Sequence, residues 1–250
     1  MTNELNLPGA YVRAVSPEND KYDRGDSEFT ATELIKPPRI LRLKELTKDK
    51  EVRIDVKDSV HLLFGKAVHA ILEHANRDGL VEKRFYAKIN GRTISAQIDT
   101  LSWDDSGIGE DLLDWKTCTI YKVNRKGKYD PDWAAQLNIQ LECLRQNGLD
   151  AKRLFIAPFI KDFSAIKAMV VPKYYPLSGV LKVQLPLWAR ANTIAFIEQR
   201  MELHDKAKEV LPECTDDEHW GHKRCLAYGA ECAPFCDQWK LKQKQKELNV

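Results

Sequence analysis

Residues 81 to 117 constrain the fold more than any other stretch. Three strand-like runs, at 81–89, 92–101 and 111–117, follow one another across Asn90-Gly91 and then Asp104-Asp105-Ser106-Gly107. An Asn-Gly pair between alternating runs is a strong hairpin signal, so the chain is expected to build an antiparallel unit of three strands. Side chains alternate along a strand, which puts Gln97 and Asp99 on one face and Ile94, Ala96 and Ile98 on the other. By the same rule Asp114 and Lys116 point one way. Two carboxylates near a lysine can hold a hard divalent cation and a water together, a combination suited to phosphodiester hydrolysis.

Helices must cover such a unit. From Asp58 to Ala75, apolar residues recur at three- and four-residue spacing, which predicts an amphipathic helix. His69 lies on it, one turn after Gly65 and one before Glu73. Asp130 can cap and Pro131 can open a second helix that Gly148 ends. On that helix Gln136 and Gln140 form an i, i+4 polar pair beside Trp133, Leu137, Leu141 and Leu144. Thr30-Ala31-Thr32-Glu33 reads as a capping box for a short helix stopped by Pro37 and Pro38, with another short helix near ILRLKEL. Strands at RLFIAPFI and AIKAMVV and a long helix from about Pro186 to Ala207 complete the order. The fold class expected is α/β or α+β, a mixed central sheet flanked by helices.

Residues 1–28 show no hydrophobic period and are read as a flexible arm that brings no core, with 29–211 as the main domain and 212–250 as a Cys/His-rich segment ending in a charged tail. With 250 residues, 30% of them charged, and a formal net charge of +2, the chain is no strongly basic coating protein; any nucleic-acid surface must be local. No apolar run nears the roughly 18 residues of a membrane span, and MTNELNLPGA is no secretion signal, so a soluble cytoplasmic protein with reduced thiols is expected. No G-x-x-x-x-G-K-[ST] motif occurs, so any unwinding of DNA must come from another protein.

The ordered set GKAVHAILE (65–73), VEKRF (81–85), QID (97–99), DWK (114–116) and QLNIQ (136–140) resembles the PD-(D/E)XK nucleases, in particular the RecB-like and phage-encoded exonuclease branch. The resemblance covers residues 58 to 148. It implies a restriction-endonuclease-like core, with His69, Asp99 and Asp114 as ligands of Mg²⁺ or Mn²⁺ and Lys116 as the catalytic lysine. It also implies that Gln136 is the glutamine of a Q-x-x-x-Y motif and that Glu82, with Glu73 beside it as a further candidate, is an acidic residue near the metal. Gln140 stands where the family carries tyrosine and is expected among the DNA contacts. Of the basic residues nearby, which include Arg84 and Arg92, those on the loop after the catalytic strand (Lys122, Arg125, Lys126 and Lys128) are expected to meet the DNA backbone. The activity implied is DNA exonucleolysis in phage or mobile-element recombination or repair, with DNA and a single-strand annealing or other recombination protein as partners.

Two other readings use the same residues: a non-catalytic module that binds DNA ends or a recombination partner, and a nuclease that trims DNA for CRISPR adaptation. In the tail, Cys214, Cys225, Cys232 and Cys236 are enough for a tetrahedral Zn²⁺ or an iron–sulfur cluster, although their spacing matches neither a zinc ribbon nor a ferredoxin run; ordinary thiols are the alternative. Cys118 and Cys143 read as packing residues.

Overall fold

The computed structural model describes residues 2–16, 24–48, 55–76, 79–103, 109–123, 130–173, 175–219, 224–225 and 235–241. Its centre is a mixed six-stranded sheet. Strands β2 (Leu80–Ile89) and β3 (Arg92–Trp103) form the expected hairpin, and β3 continues antiparallel into β4 (Gly109–Cys118). Asn90 and Gly91 both take positive φ, as a tight hairpin turn requires. Strand β5 (Arg153–Ile160) runs parallel to β4, and β6 (Val183–Leu185) pairs antiparallel with β5. A two-residue strand, β1 (Phe29–Thr30), lies parallel to β3 at Ile94 and Ser95.

One detail of this topology positions the site. β2 takes one edge of β3, so β1 and β4 share the other, β1 at Ile94–Ser95 and β4 from Thr100 onward. Between them, residues 96–99 of β3 have no strand partner on that edge among the described residues.

Helix α5 (Pro131–Gln146) covers the sheet. Asp130 caps it through the Asp132 N–H and Pro131 opens it, as the sequence predicts. It is buried on all sides: Leu137, Leu141 and Leu144 pack with Leu101, Leu112 and Ile156, while Ile139 and Cys143 pack with Phe29, Leu34, Ile94 and Ile197. The second group brings in α2 (Ala31–Ile35), with its Thr30/Glu33 capping box, and α7 (Arg190–Glu209). The fold class read from the sequence is therefore the one observed.

Three local expectations need correction. AIKAMVV is not a strand: Ser164 accepts the Lys167 N–H and starts helix α6 (Ala165–Val170), leaving Ile166, Met169 and Val170 exposed. The strand beside β5 comes later, as the short Val183–Leu185. The N-terminal stretch does contribute to the core, since helix α1 (Gly9–Val15) buries Val15 to 1% exposure. Helix α4 (Val60–Ala75) forms where predicted yet buries no residue fully; Leu62, Leu63, Phe64 and Ile71 remain exposed.

Toward the C-terminus, Leu211, Phe235, Cys236 and Trp239 pack against Ile40 and Leu43 of α3 (Pro38–Leu46). Arg39 secures the contact, donating to the Pro212 carbonyl at 2.8 Å and to Cys236 Sγ at 3.3 Å. A short helix, α8 (Asp216–His219), lies between the packed residues in the chain. Among the described residues no helix is long and apolar enough to cross a membrane.

Candidate functional site

The open edge of β3 is where the predicted residues meet. The ladder between β3 and β4 stops at Thr100 with Leu113, and no Asp99 to Asp114 pair follows. Instead Asp99 Oδ2 accepts the Trp115 N–H at 2.6 Å, a side chain taking the place of a strand carbonyl. Asp114 and Lys116 project to the same side as alternation requires, with Lys116 Nζ 2.5 Å from Asp114 Oδ2. Asp114 is 1% exposed and Asp99 8%.

His69 is carried in by α4. Its Nε2 lies 3.1 Å from the Trp115 carbonyl, which only accepts, so Nε2 carries the proton. Nδ1 is then the atom that faces the carboxylates, 3.5 Å from Glu82 Oε1 and 3.8 Å from Asp99 Oδ2. Glu82 sits on β2 opposite Asp99, between the pairs Val81–Thr100 and Lys83–Ile98. It does so with φ at +50°, a left-handed backbone inside a strand. Such strain persists only where the surroundings enforce it, and it gathers at functional sites. Gln97 Nε2 donates to Glu82 Oε2 at 2.6 Å, while Gln97 Oε1 accepts from Arg84 at 3.1 Å.

One atom each of His69, Glu82 and Asp99 lies within 4.8 Å of the others, close enough to share a cation. This trio differs from the expected His69, Asp99 and Asp114: Glu82 joins it, and Asp114 stands behind, held by other groups. Gln136 Nε2 donates to Asp114 Oδ1 at 3.1 Å and Gln140 Nε2 to the same oxygen at 3.3 Å. Asp114 Oδ2 receives no directed hydrogen bond although Lys116 is close.

Burial and the clustered charges set the ionisation of the site. Burial, reinforced by the Asp114 charge, pushes the Asp99 carboxyl up to about 7. His69 is raised chiefly by its bond to Glu82, against the effect of burial. Glu82 is lowered: burial opposes ionisation, but the bonds from His69 and Gln97 outweigh it. Burial likewise works against the Lys116 charge, yet Asp114 and Asp99 prevail and hold the ammonium protonated. The Nδ1 lone pair and the carboxylate oxygens converge on one half-buried spot that could take a proton or a metal. Oxygen donors with one imidazole fit Mg²⁺ and Mn²⁺.

Several expected residues lie elsewhere. Glu73 is exposed and outside the group. Gln140 is 1% exposed with its amide committed inward, so it cannot touch DNA as expected. Arg92, at the far end of β3, is engaged by Asp205 and Glu28. Lys122 pairs with Asp130 and borders, with Lys116 and Gln136, a cavity of about 400 Å³. Arg125, Lys126 and Lys128 fall outside the described residues, as does Cys232. Cys214, Cys225 and Cys236 also line that cavity, and no three metal-ligating groups including a cysteine come together among the described residues. No disulfide joins the described cysteines, and burial raises the thiols of Cys118 to about 11 and Cys143 to about 12, as suits packing residues. Gln97, noted in the sequence as sharing the Asp99 face and as part of QID, was given no role of its own there; the shared face was its signal.

No protein-family model matches this chain, and no curated protein matches it. Its structure resembles the crystal structure of SSO0001 over 91% of this chain and 94% of that one, at 15% identity and a TM-score of 0.56. It also resembles the alkaline exonuclease LHK-Exo from Laribacter hongkongensis over 79% of this chain and 93% of that one, at 16% identity and a TM-score of 0.40. The same enzyme in complex with dAMP aligns over the same shares at 14% identity and a TM-score of 0.40. At 15% identity, what this chain shares with SSO0001 is its fold.

Proposed function

We propose that the protein is a divalent-metal-dependent DNA nuclease of the PD-(D/E)XK type, acting as an exonuclease in phage or mobile-element recombination or repair. The observation that carries this reading is the gathering of His69, Glu82 and Asp99 around one spot, with Asp114 behind them beside a protonated Lys116. The ordered motifs of residues 65–140 support it. In this reading residues 29–211 are the nuclease domain, with 1–28 and 212–250 as appendages, in a cytoplasmic protein whose partners are DNA and a recombination protein. Lys122, Arg125, Lys126 and Lys128 are the basic residues assigned to the DNA backbone, and the tail cysteines serve either as ordinary thiols or as ligands of a structural metal or cluster.

A bound Mg²⁺ or Mn²⁺ supplies Lewis acidity at the scissile phosphate and a water of lowered pKa. His69, Glu82 and Asp99 would hold it, with Asp114 behind them paired to Lys116. Trp115 fixes the ligand orientation twice, its carbonyl taking the His69 Nε2 proton and its N–H bonding Asp99. Lys116 is paired with Asp114. As an ammonium beside Asp114 it orients the attacking water and offsets the negative charge that builds on the phosphate.

The test is digestion of end-labelled and internally labelled linear DNA, single- and double-stranded, with Mg²⁺, Mn²⁺ or EDTA. Wild type is expected to degrade DNA with metal only. Lys116→Ala is expected to lose at least about a hundredfold in rate, the order of a removed electrostatic stabiliser, while still binding DNA. Full turnover by Lys116→Ala would remove that residue from the mechanism; no cleavage by wild type with either metal would leave a DNA-binding module on the same fold.

A further inference from the structure

Gln140 is among the most buried polar residues of the chain, and its hydrogen bonds are asymmetric. One Nε2 proton goes to Asp114 Oδ1 at 3.3 Å and the other to the Gln97 carbonyl at 3.2 Å. Both partners accept only, so the amide has a single satisfactory orientation. Its Oε1 is buried with no partner. An unmet buried acceptor is costly, and an apolar side chain of the same size would avoid that cost. The amide is therefore kept for what its two N–H groups do.

What they do follows from the interrupted ladder. Gln97 lies in the stretch of β3, residues 96–99, left open between β1 and β4, so its carbonyl lacks a strand donor on that edge among the described residues. Gln140 supplies one and, from the same nitrogen, grips the catalytic carboxylate of the strand across the opening. With Gln136 on Oδ1 as well, both donors sit on one oxygen of Asp114 and its rotamer is set. A tyrosine, the residue that the resembling family carries at this place, has one O–H and could serve only one of the two acceptors.

We infer that Gln140 is a positioning residue: it ties β3 to Asp114 across the open edge and, with Gln136, fixes that carboxylate so that its Oδ2 faces Lys116 Nζ at 2.5 Å, directly behind the cation site of His69, Glu82 and Asp99. This rests on the nuclease reading, and the experiment separates the two. Mn²⁺ binding is titrated calorimetrically on the full chain without DNA, for wild type, Gln140→Met and Gln136→Met. DNA binding is measured in EDTA by anisotropy of a labelled oligonucleotide, and melting by circular dichroism. Outer-shell partners of metal ligands are worth about ten- to a hundredfold in metal affinity. Gln140→Met is expected to weaken Mn²⁺ binding by that factor with DNA affinity unchanged within about twofold. Gln136→Met, which removes one bond and no strand tie, is expected to weaken it less, and it tests the same oxygen should the Gln140→Met chain fail to fold. Unchanged Mn²⁺ affinity in both variants, or a loss of DNA affinity with metal binding intact, overturns the inference. Absence of Mn²⁺ binding in wild type overturns the metal-dependent reading itself, and the inference with it.

Discussion

Asp99 is the residue on which the state of the site turns. In the folded, metal-free chain its carboxyl holds a proton up to about pH 7, whereas in the unfolded chain an aspartate ionises near about 4. The folded state thus binds the extra proton between those values, and the stability it confers is lost as pH rises through about 7. His69, raised as well, acts in the same direction near neutrality, and the lowered Glu82 has completed its contribution below this window. Melting in EDTA is therefore expected to fall between about pH 4.5 and about 7.5. Mn²⁺ should restore it at the upper end, with metal affinity dropping about tenfold per unit on acidification below about 7. A flat melting profile in EDTA would remove Asp99 from this role. Glu82 offers a separate check at the same scale. At φ +50° glycine is unstrained and alanine is not, so Glu82→Gly should exceed Glu82→Ala by about 1 kcal/mol in urea denaturation, reversing the usual strand order.

At the scale of elements, legibility followed periodicity. The hairpin, β4, α4 and α5 were readable because strand alternation and helix spacing mark them, and alternation alone placed Asp99, Asp114 and Lys116. Where the decisive influence was tertiary, the pattern misled. AIKAMVV has the apolar, β-branched content of a strand, yet the Ser164 cap starts it as a helix. Val183–Leu185 is too short to show a period, and it is a strand because β5 offers it an edge. Glu82 reaches His69 and Asp99 through a left-handed backbone that no residue pattern announces. Gln140 was legible as a polar residue on the right helix, but its inward aim depends on α5 being buried on every side, which an amphipathic reading excludes.

On the scale of the whole molecule, the C-terminal segment is anchored from the opposite end of the chain. Arg39, 6% exposed, binds the Pro212 carbonyl and the Cys236 sulfur, and Cys214 and Gln238 exchange two further hydrogen bonds. Arg39→Ala should cost about 2 kcal/mol, the scale of a charged hydrogen bond, and should speed limited proteolysis of the chain beyond Leu211 relative to the sheet core. Protease cleavage at the wild-type rate would show that apolar packing alone retains it. The open edge of β3 has a wider meaning for how such a cluster can arise and change. Among the described residues its polar groups gather at a stretch where the backbone is left unzipped, so the cluster depends on incompleteness as much as on its side chains. A sequence that knitted β3 and β4 together through residues 96–99 would form a more regular sheet, keep every acidic residue and the lysine, and still lose the bond from the Trp115 N–H to Asp99 that shapes the cluster.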